Sequence, residues 1–537
     1  MSTKADVLLV YANPVVFPFA QPYGLSIIKA HLSVLNIASR IVLPFQSASP
    51  DEYIRSAIGQ SAPKIIGLSF RNLDTAGFGL DEKPSTFFSS LESIVAACRS
   101  ADPEVLLVLG GSGFSVDPYT ALRKTGVRIG FVGPSEAEFA AFVADCLGHL
   151  PSRPVDVLAL ANRYSSCIVN LGEPALTVHE FKESLRRPTT HLPKQLPSAY
   201  VPYGIDPLAL EFSDLLGANL PVRTKTGCSL RCIYCVVPYI ERLSLRQIPH
   251  VIEDLRAAAR LGYGKRLFIA DGEFNLPSLE RALAICDAIK SEFGSSLRWR
   301  CYVCPSEVSE ELASSMAEAG CISVGLAVDS LSDDVRLTMK KRCTADVAMT
   351  AVRSFLKAGV ETIFTLLFGA PQESLASALE SSALARELVI EGSHVSNTVG
   401  LRIYPNTPLD ILAHHEIYRP FVSHPDSDGR PMLFCSPIPR AELYAVLQDV
   451  FAGLPRVHWT APIDGQRLAS YRLLAHLHDM YRRDHHETVL NEIARHEVGE
   501  VWPQFALLKA KTLRHLGRLD QARDTLLTHL ESERTPR

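Results

Sequence analysis

The stretch TGCSLRCIYC, Thr226–Cys235, sets three cysteines four and three residues apart in a chain of 537 residues. Three soft thiolates from one short loop suit an iron–sulfur centre. A structural zinc ion would want a fourth protein ligand, and electron-transfer clusters take four cysteines in differently spaced runs. Cys228, Cys232 and Cys235 are therefore read as ligands to a cluster with one iron left open to a substrate. The segment PVRTKTGC ahead of them reads as a strand that delivers the loop to the end of a sheet.

That strand opens a series. Pro221–Cys228, Arg266–Phe274, Arg298–Pro305, Ile322–Asp329, Glu361–Gly369 and Val395–Pro405 have strand patterning, and helical stretches such as HVIEDLRAAARLG and SEELASSMAEAG separate them. Six such units predict a partial (β/α)6 barrel over 221–440, with its chemistry at the C-terminal ends of the strands. Upstream, VLLVYANP, RIVLPF, KIIGLSF, VLLVLGG and IGFVGP alternate with amphipathic helices. This predicts a doubly wound, Rossmann-like α/β domain over 1–150, whose ligand lies beyond the carboxyl ends of its strands. No GxGxxG follows the first strand, so a dinucleotide is not expected. Residues 151–220 are proline-rich and read as a linker. Residues 441–537 read as an α-helical domain, in which LKAKTLRHLGRLDQARDTLLTHL resembles one tetratricopeptide helix pair. One pair is too few for an array and reads as a cap or docking surface.

A net charge of −4 argues against a nucleic-acid partner. No apolar run approaches the roughly 20 residues that span a bilayer, so no membrane partner is expected. The opening MSTKADVLLVYANP has a strand-length apolar segment and no cleavage site of a signal peptide. Twelve scattered cysteines do not form a secreted disulfide framework, so the expected location is cytoplasmic. Cys301 and Cys304 form a further CxxC, but their odd spacing on a strand sends the side chains to opposite faces. Cys98, Cys146, Cys167, Cys286, Cys321, Cys343 and Cys435 read as small buried hydrophobes.

CxxxCxxC with an aromatic, Tyr234, before the last cysteine resembles the radical S-adenosylmethionine superfamily. The resemblance implies a 4Fe-4S cluster on Cys228, Cys232 and Cys235, and S-adenosylmethionine as a cofactor. FIADGEF, Phe268–Phe274, stands where that superfamily contacts the methionine end of the cofactor, which makes Asp271, Gly272 and Glu273 candidates. GLAVDSLSDDVRLTMKK, with Asp329, resembles the segment around the ribose; LLFGAPQES, with Gly369, resembles the usual strand end; LRIYPNTPL resembles the last-strand ending of cobalamin-associated members. Glu273 has three readings: a solvated or paired acid at the barrel mouth, a partner for the cofactor's amino group, or a carboxylate on the open iron. The last would leave S-adenosylmethionine as an electrophilic methyl donor.

The first domain resembles the cobalamin-binding domain that precedes many such barrels. PFAQPYGLSIIKAHL matches its first helix; Ser69-Phe70-Arg71, Gly110-Gly111-Ser112-Gly113 and FVGPSEAEF, with Gly133, match its ligand loops. Glycines there let backbone approach a bulky ligand. A flavodoxin-like sheet without cofactor is the alternative. One departure stands out: the loop YANPVVFPFAQPYG lacks the histidine that ligates cobalt from below in methionine-synthase-like domains. Arg71 could face the lower side of the corrin and keep water from cobalt, since a guanidinium cannot readily become a ligand; otherwise it is a surface charge.

Across nearly its whole length the chain resembles the cobalamin-dependent radical S-adenosylmethionine methylases. Within them it resembles most the tryptophan 2-C-methyltransferases of thiopeptide antibiotic biosynthesis. That narrower likeness rests on length, the missing histidine, Arg71 and the Asp271-Gly272-Glu273 element. It implies transfer of a methyl group from S-adenosylmethionine, via methylcobalamin, to C2 of the indole of L-tryptophan, with Glu273 and Arg71 as candidate catalytic residues. Arg402 and Tyr404 are candidate substrate contacts, and an external reductant is left open. Two alternatives remain: a radical methylase of an unactivated carbon in another precursor, and a non-catalytic cobalamin-binding protein.

Overall fold

The computed structural model describes residues 4–14, 22–47, 49–74, 87–149, 157–169, 218–423, 432–436, 438–460, 465–496 and 503–534. The first sheet holds β1 (Val7–Tyr11), β2 (Ser39–Val42), β3 (Ile65–Ser69), β4 (Leu106–Gly110), β5 (Ile129–Phe131) and β6 (Cys167–Val169), in the order β2-β1-β3-β4-β5-β6. All pairings are parallel except that of β6, which runs antiparallel to β5. The register sets Tyr11 against Ser69 and Ser69 against Gly110. Three loops therefore leave the sheet at one height, beside the reversal of strand order between β1 and β3, where doubly wound folds bind their ligands. β6 lies in the stretch read as linker and caps an edge that would otherwise be unpaired. The remainder of that proline-rich reading, 170–217, lies outside the described residues.

β1 is buried along its whole length because both faces of the sheet are covered. Leu8, Val10, Ile66 and Leu68 face one core with Ile54, Leu91 and Ile94. Val7, Leu9 and Ile65 face another, which is shared with Leu474, Leu477, Val489, Phe505 and Leu508. The C-terminal helices thus roof the first sheet. His478 is buried in that roof, and desolvation, helped by Arg482 and Lys511, lowers its imidazole to about 4. Its folded pKa lies below the unfolded value, so the unfolded chain takes the proton first as pH falls. Stability present above about pH 6.5 should drain away towards pH 4, by up to about 3 kcal/mol. Denaturant titrations at neutral and acid pH should show this slope, and His478→Phe should flatten it.

The second sheet is wholly parallel. β7 (Leu220–Val222) leads through a small ribbon, β8 (Lys225–Thr226) with β9 (Ser244–Leu245), to β10 (Leu267–Ile269), β11 (Trp299–Val303), β12 (Cys321–Asp329), β13 (Glu361–Phe368) and β14 (His394–Val399). After β14 come β15 (Leu401–Arg402), β16 (Val422–Ser423) and β17 (Leu433–Phe434), an antiparallel trio, and then β18 (Val457–Trp459). The order is β18-β14-β13-β12-β11-β10-β7. Six of these strands are the expected ones; the seventh, β18, comes from the stretch read as helical and pairs with β14. The outer face packs under helices whose starts are fixed by hydroxyl caps: Ser309, Thr344 and Ser374 accept from the backbone three residues on. The inner face carries small residues, Ser323, Gly325, Thr365 and Ser396 among them. Bulky residues would fill such a barrel; these leave it hollow. Among the described residues no helix is long and apolar enough to cross a membrane.

Candidate functional site

The cysteine loop begins at Gly227, with φ +69, where a Cβ would lie 2.6 Å from the Arg242 carbonyl carbon. Only glycine fits between β8 and β9. Cys228, Tyr234 and Cys235 pack against an apolar cluster of Leu230, Cys232, Leu276 and Cys304. Burial raises all three thiols, Cys235 to about 12; a bound metal centre would reverse this by favouring the thiolates. Among the described residues, three ligand atoms come within 4.8 Å of one another at Asp484, His486 and His515, not at these cysteines. A single tetrahedral ion would draw its sulfurs to about 3.8 Å apart. The wider spread suits a multi-iron cluster.

The loop is braced from the barrel. The Tyr234 hydroxyl and the Lys341 ammonium both bond the Asp329 carboxylate, and Thr365 donates to it at 3.1 Å. Lys341 also sits 5.7 Å from the Tyr234 ring centroid. Burial opposes the charge on Lys341, but Asp329 and Cys232 outweigh it and raise the ammonium above its ordinary value. Asp329, expected beside a ribose, thus spends its carboxylate on holding the aromatic of the cysteine motif.

Asp271 is likewise engaged. It accepts from the Thr224 amide at 2.9 Å, from the Thr224 hydroxyl, and from Lys225 Nζ at 3.4 Å. Lys225 also donates to the Glu273 carbonyl. These bonds fix Gly272 against the cysteine loop, where its Cβ position would lie 3.8 Å from Cys228 Cβ. Glu273 differs from its neighbour. It is 7% exposed and its Oε2 has no hydrogen-bond partner. Desolvation lifts its carboxyl to about 8 even though Lys341 and Lys225 pull it down. An orphaned carboxylate oxygen beside three thiols fits a metal centre.

Beyond this mouth lies a cavity of about 1000 Å³ between the two sheets. Ser69, Arg71, Gly110, Gly111, Ser112 and Gly133 line it from the first domain. Asn13, fully buried after β1, accepts from the Arg71 and Asn72 amides and donates to the Asn72 carbonyl at 2.7 Å. Arg71 is therefore presented to the cavity on a fixed loop. Phe268, Arg300 and Tyr302 line the barrel side. Gly325 makes room for the Tyr302 ring, since a Cβ there would lie 2.6 Å from Cδ1. Tyr302 packs edge-on to Phe268.

Cys228, Cys232, Cys235, Asp271, Gly272, Glu273 and Asp329 are not among the residues that line this cavity, and three further expected residues sit elsewhere. Gly369, with φ +91, packs on Cys435, whose Sγ would be 2.7 Å from its Cβ, and does not line the cavity. Arg402 pairs with the buried Asp74 of the first domain, Nε to Oδ2 2.9 Å, and stacks on Tyr404 at 5.3 Å. These two join the domains, and neither lines the cavity. The CxxC divides as its spacing requires: Cys301 lines the cavity, whereas Cys304 packs beside the three-cysteine loop. Asn13 and Lys225 were invisible in the sequence, because their partners lie 46 to 59 residues distant.

Residues 222–385 match the family model of the radical SAM superfamily. In sequence the chain is 24% identical to tryptophan 2-C-methyltransferase of Streptomyces laurentii over 461 residues, which covers 75% of this chain and 74% of that one. In fold it is similar to the radical S-adenosylmethionine methyltransferase TsrM from Kitasatospora setae, solved with cobalamin and a [4Fe-4S] cluster. That likeness has a TM-score of 0.70 and 21% identity, over 92% of this chain and 100% of that one. It is also similar to the cobalamin-dependent radical enzyme OxsB, solved with aqua-cobalamin and S-adenosylmethionine, with a TM-score of 0.60 and 14% identity, over 99% of this chain and 82% of that one. Residues 222–385, which begin just ahead of the three-cysteine motif, thus match the radical SAM domain, and the chain as a whole shares its fold with these two solved structures.

Proposed function

We propose that the protein is a cobalamin-dependent C-methyltransferase that methylates C2 of the indole of L-tryptophan. The observation that carries the reading is one cavity, lined on one side by the glycine-rich loops of a doubly wound sheet and on the other by the small residues of a hollow barrel, whose first strand leads into the three-cysteine loop. The sequence likeness to a tryptophan 2-C-methyltransferase supports the choice of substrate.

Cys228, Cys232 and Cys235 would hold a 4Fe-4S cluster, and Glu273 would offer it an otherwise unpartnered carboxylate oxygen. Bound cobalamin would supply the methyl carrier, and S-adenosylmethionine the methyl group. Ser69, Gly110, Gly111, Ser112 and Gly133 shape the wall against the corrin. Arg71 lines the same cavity, and its guanidinium would keep water from a bound corrinoid without becoming a metal ligand. Phe268 and Tyr302 offer an aromatic wall to an indole, and Arg300 a cation to a carboxylate. The protein's contribution is chiefly orientation, since holding the reacting atoms near contact removes much of the entropic barrier.

The test is direct. Anaerobically reconstituted protein is incubated with S-adenosylmethionine, methylcobalamin, tryptophan and a low-potential one-electron reductant, and the products are read by mass spectrometry. 2-Methyltryptophan without 5′-deoxyadenosine is the expected result. Unmethylated tryptophan, with 5′-deoxyadenosine released, would favour a radical methylase of another precursor and overturn the reading.

A further inference from the structure

The C-terminal roof contains a cluster that the methyl-transfer site does not use. His486 is the first residue of the helix His486–Arg495, and His515 the last residue of the helix Pro503–His515. Asp484 lies in the turn ahead of His486. One ligand atom from each falls within 4.8 Å of the other two. His486 is 7% exposed, yet neither of its ring nitrogens makes a hydrogen bond. The nearest charged atom is Asp484 Oδ1, 3.4 Å from Nε2. The His515 ring lies over it, with centroids 4.1 Å apart, and Tyr481 flanks both rings at 5.1 and 6.1 Å. Burying an imidazole with both nitrogens unbonded is costly. A ligand that accepts nitrogen lone pairs would remove that cost.

We propose that Asp484, His486 and His515 form a binding site for a divalent transition-metal ion of the zinc type. Two imidazoles and a carboxylate are a donor set for such ions, and water can complete the tetrahedron. Bonds of about 2.0–2.2 Å would bring the ligand atoms to roughly 3.4 Å apart. The required movement falls on Asp484 and His515, which are exposed and can rotate, while His486 stays in place. The ion would join the turn after the helix Gly465–Arg482 to the end of the helix Pro503–His515. Those two helices supply Leu474, Leu477, Phe505 and Leu508 to the core under the first sheet. The site is a clamp on the roof, at a distance in sequence from the cysteine loop.

The experiment uses cluster-loaded protein, so that Cys228, Cys232 and Cys235 are occupied, with zinc ion as the probe. Zinc retained after gel filtration is counted by elemental mass spectrometry, and thermal unfolding is followed with and without it. One zinc per chain and a raised Tm are expected. His515→Ala, at an exposed position, and Asp484→Asn, which suits the left-handed backbone at φ +63, should each weaken binding at least about tenfold and lose the Tm gain. His496→Ala, in an exposed histidine bonded to its own helix, should change neither. Failure of the unaltered protein to retain zinc, unchanged retention by His515→Ala, or equal loss in His496→Ala would each overturn the proposal.

Discussion

Glu273→Ala protein, loaded with cluster, corrinoid and S-adenosylmethionine and supplied with a low-potential one-electron reductant, is expected to lose methyl transfer by about 100-fold or more and to begin releasing 5′-deoxyadenosine. The side chain is almost wholly buried among groups that cannot satisfy it: Oε2 has no partner, and Lys225 is already bonded to the Glu273 carbonyl and to Asp271. An oxygen left in that state is either held as a neutral acid or bound to something positive. If it caps the fourth iron, its removal opens that iron to chelation by S-adenosylmethionine, and the cofactor becomes a substrate for reductive cleavage. Iron content should stay near that of the parent protein, because the three cysteines remain. Product analysis and iron counting together check the idea. Loss of methyl transfer with no 5′-deoxyadenosine would instead assign Glu273 to contacts with the cofactor's amino group.

The second large effect is expected at Gly133. Its φ is +69, and a Cβ there would stand 2.6 Å from the Ile240 carbonyl oxygen. Ile240 ends the short helix Val237–Ile240 that leaves the cysteine motif, so this contact is where the first domain touches the exit of the loop. Gly133→Val must either distort a left-handed turn or part the two domains by about an ångström, and a displacement of that size is enough to cost about 100-fold in rate. The variant should therefore bind iron normally, retain corrinoid poorly and methylate about 100-fold more slowly. Absorbance of the desalted protein separates the two cofactors. Equal loss of iron and corrinoid would show general misfolding.

The three-cysteine loop and the two βα series were legible because their signals are local. A CxxxCxxC spacing sets three cysteines within eight residues, and strand–helix alternation reports burial on both faces. Ser69 and Gly110 were legible for the same reason: each ends a strand, and the register places such ends side by side. What escaped depends on partners remote in sequence. Nothing near Asp271 announces that Thr224 and Lys225 will take up its oxygens while its neighbour Glu273 keeps one unpaired. Arg402 resembles a substrate contact until Asp74, 328 residues away, is placed against it. Gly369 has the left-handed backbone expected of a ligand loop, but the atom that forbids a side chain there is Cys435 Sγ. β6 and β18 are three-residue strands whose apolar content is too short to stand out, and only the open sheet edges beside them call for pairing.

The shared core of Val7, Leu9 and Ile65 with Leu474, Leu477, Phe505 and Leu508 has a consequence for biosynthesis. The first domain emerges from the ribosome early, yet the core that its helices Tyr23–Val34 and Glu136–His149 share with β1 lacks its C-terminal members until some three hundred further residues have been made. A nascent chain arrested before Leu474 should be caught by chaperones rather than released as an independent folded unit.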